Sequence, residues 1–519
     1  MTASDSLMIT RVARGGQSMG SDVDVLVVGA GPAGLLLAGD LAEAGVRCTV
    51  VERREGESQL TRAFAVHART MEQLDARGLA DDLLLTGLRN PILQFLRIDL
   101  SHLPTRYPHV LVTPQYNTER LLLARALDHG VNIMRAHEVT GVQQDSTGVD
   151  VTVQTPAGTT HSLRADFVVG ADGRNSCVRQ SLGLPFPGRS AVRSMMLADV
   201  RMADPPTKPP TVAAIGDAFA IVVPFGDGWF RVMAWNRHHP MPDNASVDLE
   251  EIIDVARKAL GSDFGMHDPR WLSRFHSDER QSPRYRVGRV FLVGDAAHVH
   301  SPAGGMGLNT SIQDSANLSW KLAAVQRGRA PDTLLDSYHS ERHPVGHRVL
   351  RMSGALLRGV LTTPRALCGL RDLSARTVLQ TPPVARRLAK AISGIDISYA
   401  APAGAHPLVG KRAPDIPLTD GRRLYEALRK RRFVLVTPSD SEQFPSHITE
   451  WADEVEVVSP KGTTRKSVLV RPDAYIAWAI SDESPERRIT AVRQALTEWC
   501  GPPTPEPLHP TGATEQSPG

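Results

Sequence analysis

Short apolar runs separated by turn residues mark the start of the chain. Val23 to Val28 (VDVLVV) is a β-branched run, followed by Gly29-Ala-Gly31-Pro32-Ala33-Gly34 and by LLLAGDLAEAG, whose apolar residues recur at helical spacing. A second apolar run, CTVVE, ends at Glu52, 18 residues beyond Gly34. Strand, glycine turn, helix, strand and acid predict a βαβ unit opening an α/β domain. Asn117 to Gly130 (NTERLLLARALDHG) predicts a helix with Asn117 or Thr118 as N-cap and Gly130 as its stop. Residues 139–168 alternate as a β-meander, and residues 185–285 read as antiparallel strands such as FAIVVPFGDGWFRVMAW, with prolines confined to linkers. Arg289-Val-Phe-Leu-Val-Gly294 has the continuous apolar character of a buried parallel strand. From Ser311 to about Ile397 the pattern is helical, with breaks expected at Pro331, Pro344, Pro364 and Pro382-Pro383. Near Pro402 the composition shifts, and residues 403–500 alternate strands and helices as a separate small α/β module.

Length and composition narrow the classes. A chain of 519 residues predicts two to four domains at about 150 residues each. Hydrophobic content of 41% and charged content of 22% are globular values. Fifty-nine basic against 56 acidic side chains leave +3 with no basic block, and aromatics are 5%, so a nucleic-acid surface is not expected. No run approaches the roughly 20 apolar residues of a membrane span. The first 21 residues lack the apolar region of a secretory signal and read as a disordered leader, with Met8 and Met19 as alternative starts. The proline-rich stretch 501–519 reads as a disordered tail. Cys48, Cys177, Cys368 and Cys500 form no CxxC pair, which argues against a disulfide scaffold, a thiolate zinc site or a dithiol centre and points to the reducing cytoplasm.

The glycine turn carries the first chemistry. Its glycines permit a tight turn, close approach of a pyrophosphate and helix–strand packing, while helix amides face the phosphate charge. Glu52, at the tip of the next strand, can accept from ribose hydroxyls. This motif does not separate NAD from FAD, and some proteins that only escort others carry a related fold. A second motif runs Val168-Val-Gly170-Ala-Asp172-Gly173-Arg174-Asn-Ser176, followed by Val178-Arg179. A third runs Leu292-Val-Gly294-Asp295-Ala-Ala-His298, followed by Pro302-Ala-Gly304-Gly-Met-Gly307-Leu308-Asn309. Each alone is compatible with an ordinary strand-to-turn transition. Together, in this order, they are specific.

Over residues 22–400 the chain resembles the FAD-dependent group A aromatic hydroxylases, typified by p-hydroxybenzoate hydroxylase, and within them the bacterial branch that oxidises aromatic polyketides. The resemblance implies an α/β fold with a Rossmann-like FAD-binding domain (22–89, 116–184 and 286–345) and an interleaved antiparallel-sheet substrate domain (90–115 and 185–285). A helical segment (346–400) and a C-terminal thioredoxin-like domain (401–500) would follow. Gly29, Gly31, Pro32, Ala33 and Gly34 would hold the pyrophosphate, Glu52 and Arg53 the adenosine, and Asp295 the ribityl chain. Backbone amides of Gly307, Leu308 and Asn309 would face the flavin pyrimidine edge, where a positive helix end stabilises charge on reduced flavin. Asp172 and Gly173 would lie by the pyrophosphate, Arg62 and Ala63 by the mobile ring system, and Gln115, Val139, Pro302 and Gly304 complete the cofactor set. The implied activity is an NADPH- or NADH-consuming monooxygenase that hydroxylates a polycyclic aromatic substrate with O2 through a C4a-hydroperoxyflavin. The nicotinamide would visit transiently, since only one GxGxxG is present. The catalytic side chains stay unassigned, and the protein is expected as monomer or homodimer.

Other patterns carry less. His339, His343 and His347 share helical spacing, but Pro344 interrupts them and no acid completes a metal set, so no metal is expected. His298 and His300 suit flavin packing. No GxSxG follows a predicted strand, so no nucleophile turn is expected. A thioredoxin-like module without CxxC would serve packing, with Arg471-Pro472-Asp473 as structure. Phe225, Trp229 and Trp235, with Phe219 and Pro224, are the candidate substrate wall. Baeyer–Villiger or ring-opening oxidation, antibiotic inactivation by hydroxylation, and a non-catalytic binding protein remain the alternatives.

Overall fold

The computed structural model describes residues 22–57, 63–93, 96, 98–207, 211–215, 217–242, 245–360, 381–438, 447–481 and 484–502. The expected leader, Arg62, Pro364, Cys368 and nearly all of the tail lie outside them.

Val23–Val28 is the centre of an eight-stranded sheet, where Val25, Leu26, Val27 and Val28 are buried on both faces. It runs parallel to Cys48–Glu52 on one side and to Thr160–Gly170 on the other. Asn132–Arg135 and Val290–Leu292 continue the parallel set outward. The long strand Thr160–Gly170 uses its first half to pair antiparallel with Val149–Gln154, which pairs with Glu138–Gln144. Three parallel strands end together at Val28, Gly170 and Leu292, so all three glycine-bearing turns open on one edge, where α/β ligands gather.

A second, six-stranded sheet has the order Thr211–Ile215, Ala218–Pro224, Phe230–Asn236, Gly188–Met202, Met266–Gln281, His298–Val299. The amphipathic helix Leu249–Leu260, capped by Asp248 and ended by Gly261 at φ +78°, covers one face of it. A three-stranded sheet, Ala65–Val66, Val110–Val112 and Leu88–Asn90, stands between the two larger ones.

The C-terminal unit holds a mixed sheet, Val455–Val458, Phe433–Val436, Lys466–Val470 and Ile476–Ser481, parallel only in its first pair, with helix Pro485–Cys500 packed on it. Buried charges join it to the rest. Arg471 donates to Glu341 at 2.7 Å, Arg69 to Tyr425 Oη at 2.8 Å, and Arg431 to Asp40 at 3.0 Å.

Two element boundaries differ from expectation. Helix Asp336–Val360 runs through Pro344. Proline removes one hydrogen bond, at a cost of about 3 kcal/mol, but Tyr338, Arg342, Val345 and Val349 bury the same helix on both sides of it, and the affected carbonyl belongs to exposed Ser340. The helix expected from Asn117 starts at Gln115, whose amide bonds Glu119 one turn on at 2.7 Å.

Candidate active site

A cleft of about 520 Å³ opens where the parallel strands end. Gly29 sits at φ +106°, and a Cβ there would lie 2.5 Å from Ala171 O. A Cβ on Gly34 would meet Gly29 O at 2.1 Å, so Gly34 serves helix–strand contact rather than the cleft wall. Gly31, Gly173 and Gly307 differ: added Cβ atoms there would meet nothing within 4 Å, and all three line the cleft. Helix Pro32–Glu43 begins after Gly31 with no side-chain cap, leaving first-turn amides for an anion beside Pro32 and Ala33. Helix Gly307–Gln326 is likewise uncapped at Met306, beside Leu308 in the same cleft. These features fit a dinucleotide.

Glu52 closes one end. Its Oε2 accepts from Ala30 N at 2.7 Å and its Oε1 from Arg54 N and Nε at 2.9 and 2.8 Å. Burial opposes its charge, but these hydrogen bonds outweigh it and hold the carboxyl below its usual range. Arg53 lines the cleft as well, while Arg54, the ion-pair partner of Glu52, was not singled out from sequence. The doubled arginine was the available signal. Ala63 N donates to Gln115 Oε1 at 3.2 Å, and both residues line the cleft with Val139.

Asp172 accepts from Val178 N at 3.1 Å through Oδ2, while its Oδ1 is buried with no hydrogen-bond partner. Burial raises this carboxyl above its usual range. Asp295 is exposed in the cleft beside Gly294. Behind that turn Asp314, also missed, accepts from Gly294 N at 3.2 Å and Arg342 Nε at 2.7 Å, and its Oδ2 lies 2.6 Å from His298 Nε2. His300 stacks on His298 at 4.7 Å in the cleft wall, its charge disfavoured by burial. His339 and His343 pack around Tyr285. Among the described residues no group of three His, Cys, Asp or Glu is placed to hold a metal.

Asn309 and Gly304, like Gly34, are outside the residues that line the cleft. The Asn309 side chain turns away from the cleft: its Nδ2 donates to Ala65 O at 2.8 Å and Gly305 O at 2.7 Å, and its Oδ1 accepts from His67 N at 2.8 Å. Gly304 lines a neighbouring space, and its carbonyl lies 2.7 Å from His67 Nε2.

That neighbour is an apolar cavity of about 140 Å³ under the six-stranded sheet. Phe64, Ala65, Pro302 and Gly305 form walls of both spaces, so the two meet there; Pro302 thus serves both. Of the expected substrate residues only Phe219 lines it, joined by Ile221, Val223 and Met233. Phe225, Trp229, Trp235 and Pro224 do not. Phe225 follows the strand end and packs against Arg231 at 5.2 Å; Trp229 sits on the turn beneath Arg270 at 4.4 Å. The Trp235 indole donates to Arg193 O at 3.0 Å and packs among Val192, Met195 and Phe275. Among the described residues no helix is long and apolar enough to cross a membrane.

Residues 22–353 match the FAD binding domain family, and residues 406–503 match the aromatic-ring hydroxylase C-terminal family. The chain is 38% identical over 512 residues to a 12-dehydrotetracycline 5-monooxygenase/anhydrotetracycline 6-monooxygenase of Streptomyces rimosus, covering 92% of this chain and 99% of the relative. It is 38% identical over 478 residues to a rifampicin monooxygenase of Streptomyces venezuelae, covering 89% and 96%. The solved structure of OxyS anhydrotetracycline hydroxylase from Streptomyces rimosus superposes with a TM-score of 0.83 at 38% identity, over 93% of this chain and 100% of that one.

Proposed function

The chain belongs to the FAD-binding aromatic-ring hydroxylases, and from that premise we propose that it adds one oxygen atom to a polycyclic phenol of the aromatic-polyketide class. FAD is its cofactor and a reduced nicotinamide, NADPH or NADH, its reductant. The balanced reaction takes the arene, O2, NAD(P)H and a proton to the phenol, NAD(P)+ and water. The observation that carries the substrate class is the apolar cavity that adjoins the cofactor cleft along Phe64, Ala65, Pro302 and Gly305.

Bound FAD supplies hydride acceptance and activation of dioxygen. The chain supplies place and field. Amides at the Gly31 turn and the first turn after Pro32 would bind the pyrophosphate, Glu52 the ribose and Asp295 the ribityl chain. Amides after Met306 would face the pyrimidine edge and favour negative charge there. The apolar wall excludes water from the oxygen-transfer step.

Hydroxylation is favoured over insertion into a ketone, which needs a fixed cation to hold negative charge on the oxidant. None of the described residues lining the cavity is a Lys, Arg, Asp or Glu, and burial keeps His67 neutral. The nearby buried cation, Arg231, is committed to Asp199 through bonds of 2.8 and 2.9 Å. Turnover with labelled dioxygen tests this: the expected product keeps its ring count and carries one labelled oxygen on an aromatic carbon. A lactone or a cleaved ring refutes it. The similarity to a rifampicin monooxygenase supports a second reading, in which the same chemistry acts on an external polycyclic drug.

A further inference from the structure

The apolar cavity is nearly free of hydrogen-bonding side chains. Of the described residues that line it, only His67 and Asn90 carry side-chain nitrogen or oxygen. The three-stranded sheet brings them to one face. Asn90 lies opposite Val110 and Ala65 opposite Val112, so His67, two residues beyond Ala65, continues the row on the other side of Val110. Ala65, His67, Asn90, Val110 and Val112 all line the cavity, whereas Val66 and Leu111 do not. Two strand spacings separate the backbones of His67 and Asn90, roughly 10 Å.

Each of the two has one group committed to the protein and one uncommitted. His67 Nε2 lies 2.7 Å from Gly304 O, and a carbonyl only accepts, so the proton sits on Nε2. Nδ1 is then a lone-pair acceptor, and it is buried without a hydrogen-bond partner. Asn90 Oδ1 accepts from Ile92 N at 3.0 Å, which fixes the amide and leaves Nδ2 as a donor with no bond among the described residues. One end of the wall holds an acceptor that is closed to water in this structure, and the other holds a donor.

We propose that His67 and Asn90 are the positioning pair for the substrate, His67 accepting from a hydroxyl on one ring and Asn90 donating to a carbonyl on a neighbouring ring. The proposal rests on the aromatic-substrate reading above. A hydroxyl held at His67 places its own ring beside Gly304 and Gly305, on the side where the cavity meets the cofactor cleft. It makes the hydroxylated ring, rather than the quinone ring, the one presented for oxygen transfer. Only ligands that carry both groups satisfy the pair.

The test uses the FAD-loaded protein and three probes: 2-hydroxyanthraquinone, its 2-methoxy counterpart, which cannot donate, and 2-hydroxyanthracene, which has no carbonyl. Dissociation constants are read from the change in the flavin spectrum, without turnover. One hydrogen bond corresponds to about a tenfold preference, so the hydroxyquinone should bind about tenfold tighter than either control. His67→Leu removes the Nδ1 acceptor together with the bond to Gly304 O, so it should lose the hydroxy-over-methoxy preference alone. Asn90→Asp keeps the acceptor for Ile92 N and lacks the donor, so it should lose the quinone-over-anthracene preference alone. Variants that retain both preferences overturn the proposal. Equal binding of all three probes by the wild-type protein overturns the pair and leaves the aromatic site standing, whereas no binding by any probe overturns both. If a variant fails to retain FAD, the wild-type comparison of the three probes still decides.

Discussion

Asn309→Ala removes the latch between the glycine loop and the strand that walls both spaces. The side chain makes three hydrogen bonds, two of them buried, to Ala65 O at 2.8 Å and His67 N at 2.8 Å, and one part-buried, to Gly305 O at 2.7 Å. Asn309 itself is 4% exposed, so water does not replace them readily. Each net bond contributes about 1 kcal/mol, and leaving a buried partner unsatisfied costs about 1–3 kcal/mol, so truncation should cost about 4 kcal/mol. That is a large fraction of the roughly 5–15 kcal/mol that holds a typical domain. The assay is thermal unfolding combined with hydrogen exchange at the His67 amide, which loses its acceptor. Asn309→Asp separates latch from packing: it keeps the acceptor for His67 N–H but turns an oxygen toward two carbonyls. It should be the more damaging change near neutral pH, with the gap closing as acid protonates the carboxyl. A cost under about 1 kcal/mol for alanine, or an aspartate variant as stable as wild type, would refute the reasoning.

Gly31→Ala should leave the apo fold as stable as wild type yet weaken FAD binding at least tenfold, because its Cβ meets only the cleft; Gly34→Ala, with Cβ at 2.1 Å from Gly29 O, should destabilise the fold itself, and equilibrium dialysis with calorimetry separates the two. Burial lowers the His67 imidazole from 6.5 to about 4, so the unfolded chain binds more protons between those values. Stability from this group is complete above about pH 6.5 and is lost as pH falls through 4, by about 3 kcal/mol, and His67→Gln should show a correspondingly flatter acid limb in unfolding midpoints. Arg471→Met strands the Glu341 and Asp473 carboxylates that its guanidinium bonds at 2.7 and 2.9 Å, so thermal unfolding should report a loss of about 3–5 kcal/mol, partly recovered by adding Glu341→Gln.

The cofactor cleft was legible in the sequence because its chemistry is backbone chemistry. Gly29, Gly31, Gly173 and Gly307 show themselves as glycines whatever the tertiary structure, and the β-branched runs before them fix the strand ends. The substrate wall was illegible for an equally physical reason. Period-two alternation tells in from out only when one face of a sheet is wet. In Ala218–Pro224 one set, Ala218, Ala220 and Val222, lies under helix Leu249–Leu260, and the other, Phe219, Ile221 and Val223, lines the cavity. Both sets are apolar, so the alternation carries no sign. Large aromatics then drew the assignment, and Phe225, Trp229 and Trp235 proved to be held by arginines and a backbone carbonyl instead. The Asn309 latch was hidden because its three partners lie more than two hundred residues away or across a turn.

The C-terminal unit, readable from sequence only as a module lacking a redox pair, has a structural task at the cavity. His67 is the N-cap of helix Ala68–Asp75, so whatever fixes that helix fixes the cavity wall. Arg69 donates to Tyr425 Oη and to Asp473 O, both at 2.8 Å; Gln73 donates to Asp473 O at 2.8 Å; and Glu72 accepts from Arg412 at 2.8 Å. Arg69, Glu72 and Gln73 are all buried. A helix of eight residues is marginal by itself, and its polar face would be costly to bury without these partners. The unit therefore supplies the second half of a polar network that the first half needs. Loss of that network would reach the His67 ring before it reached the glycine turns, because the turns rest on the parallel sheet and the ring rests on the helix.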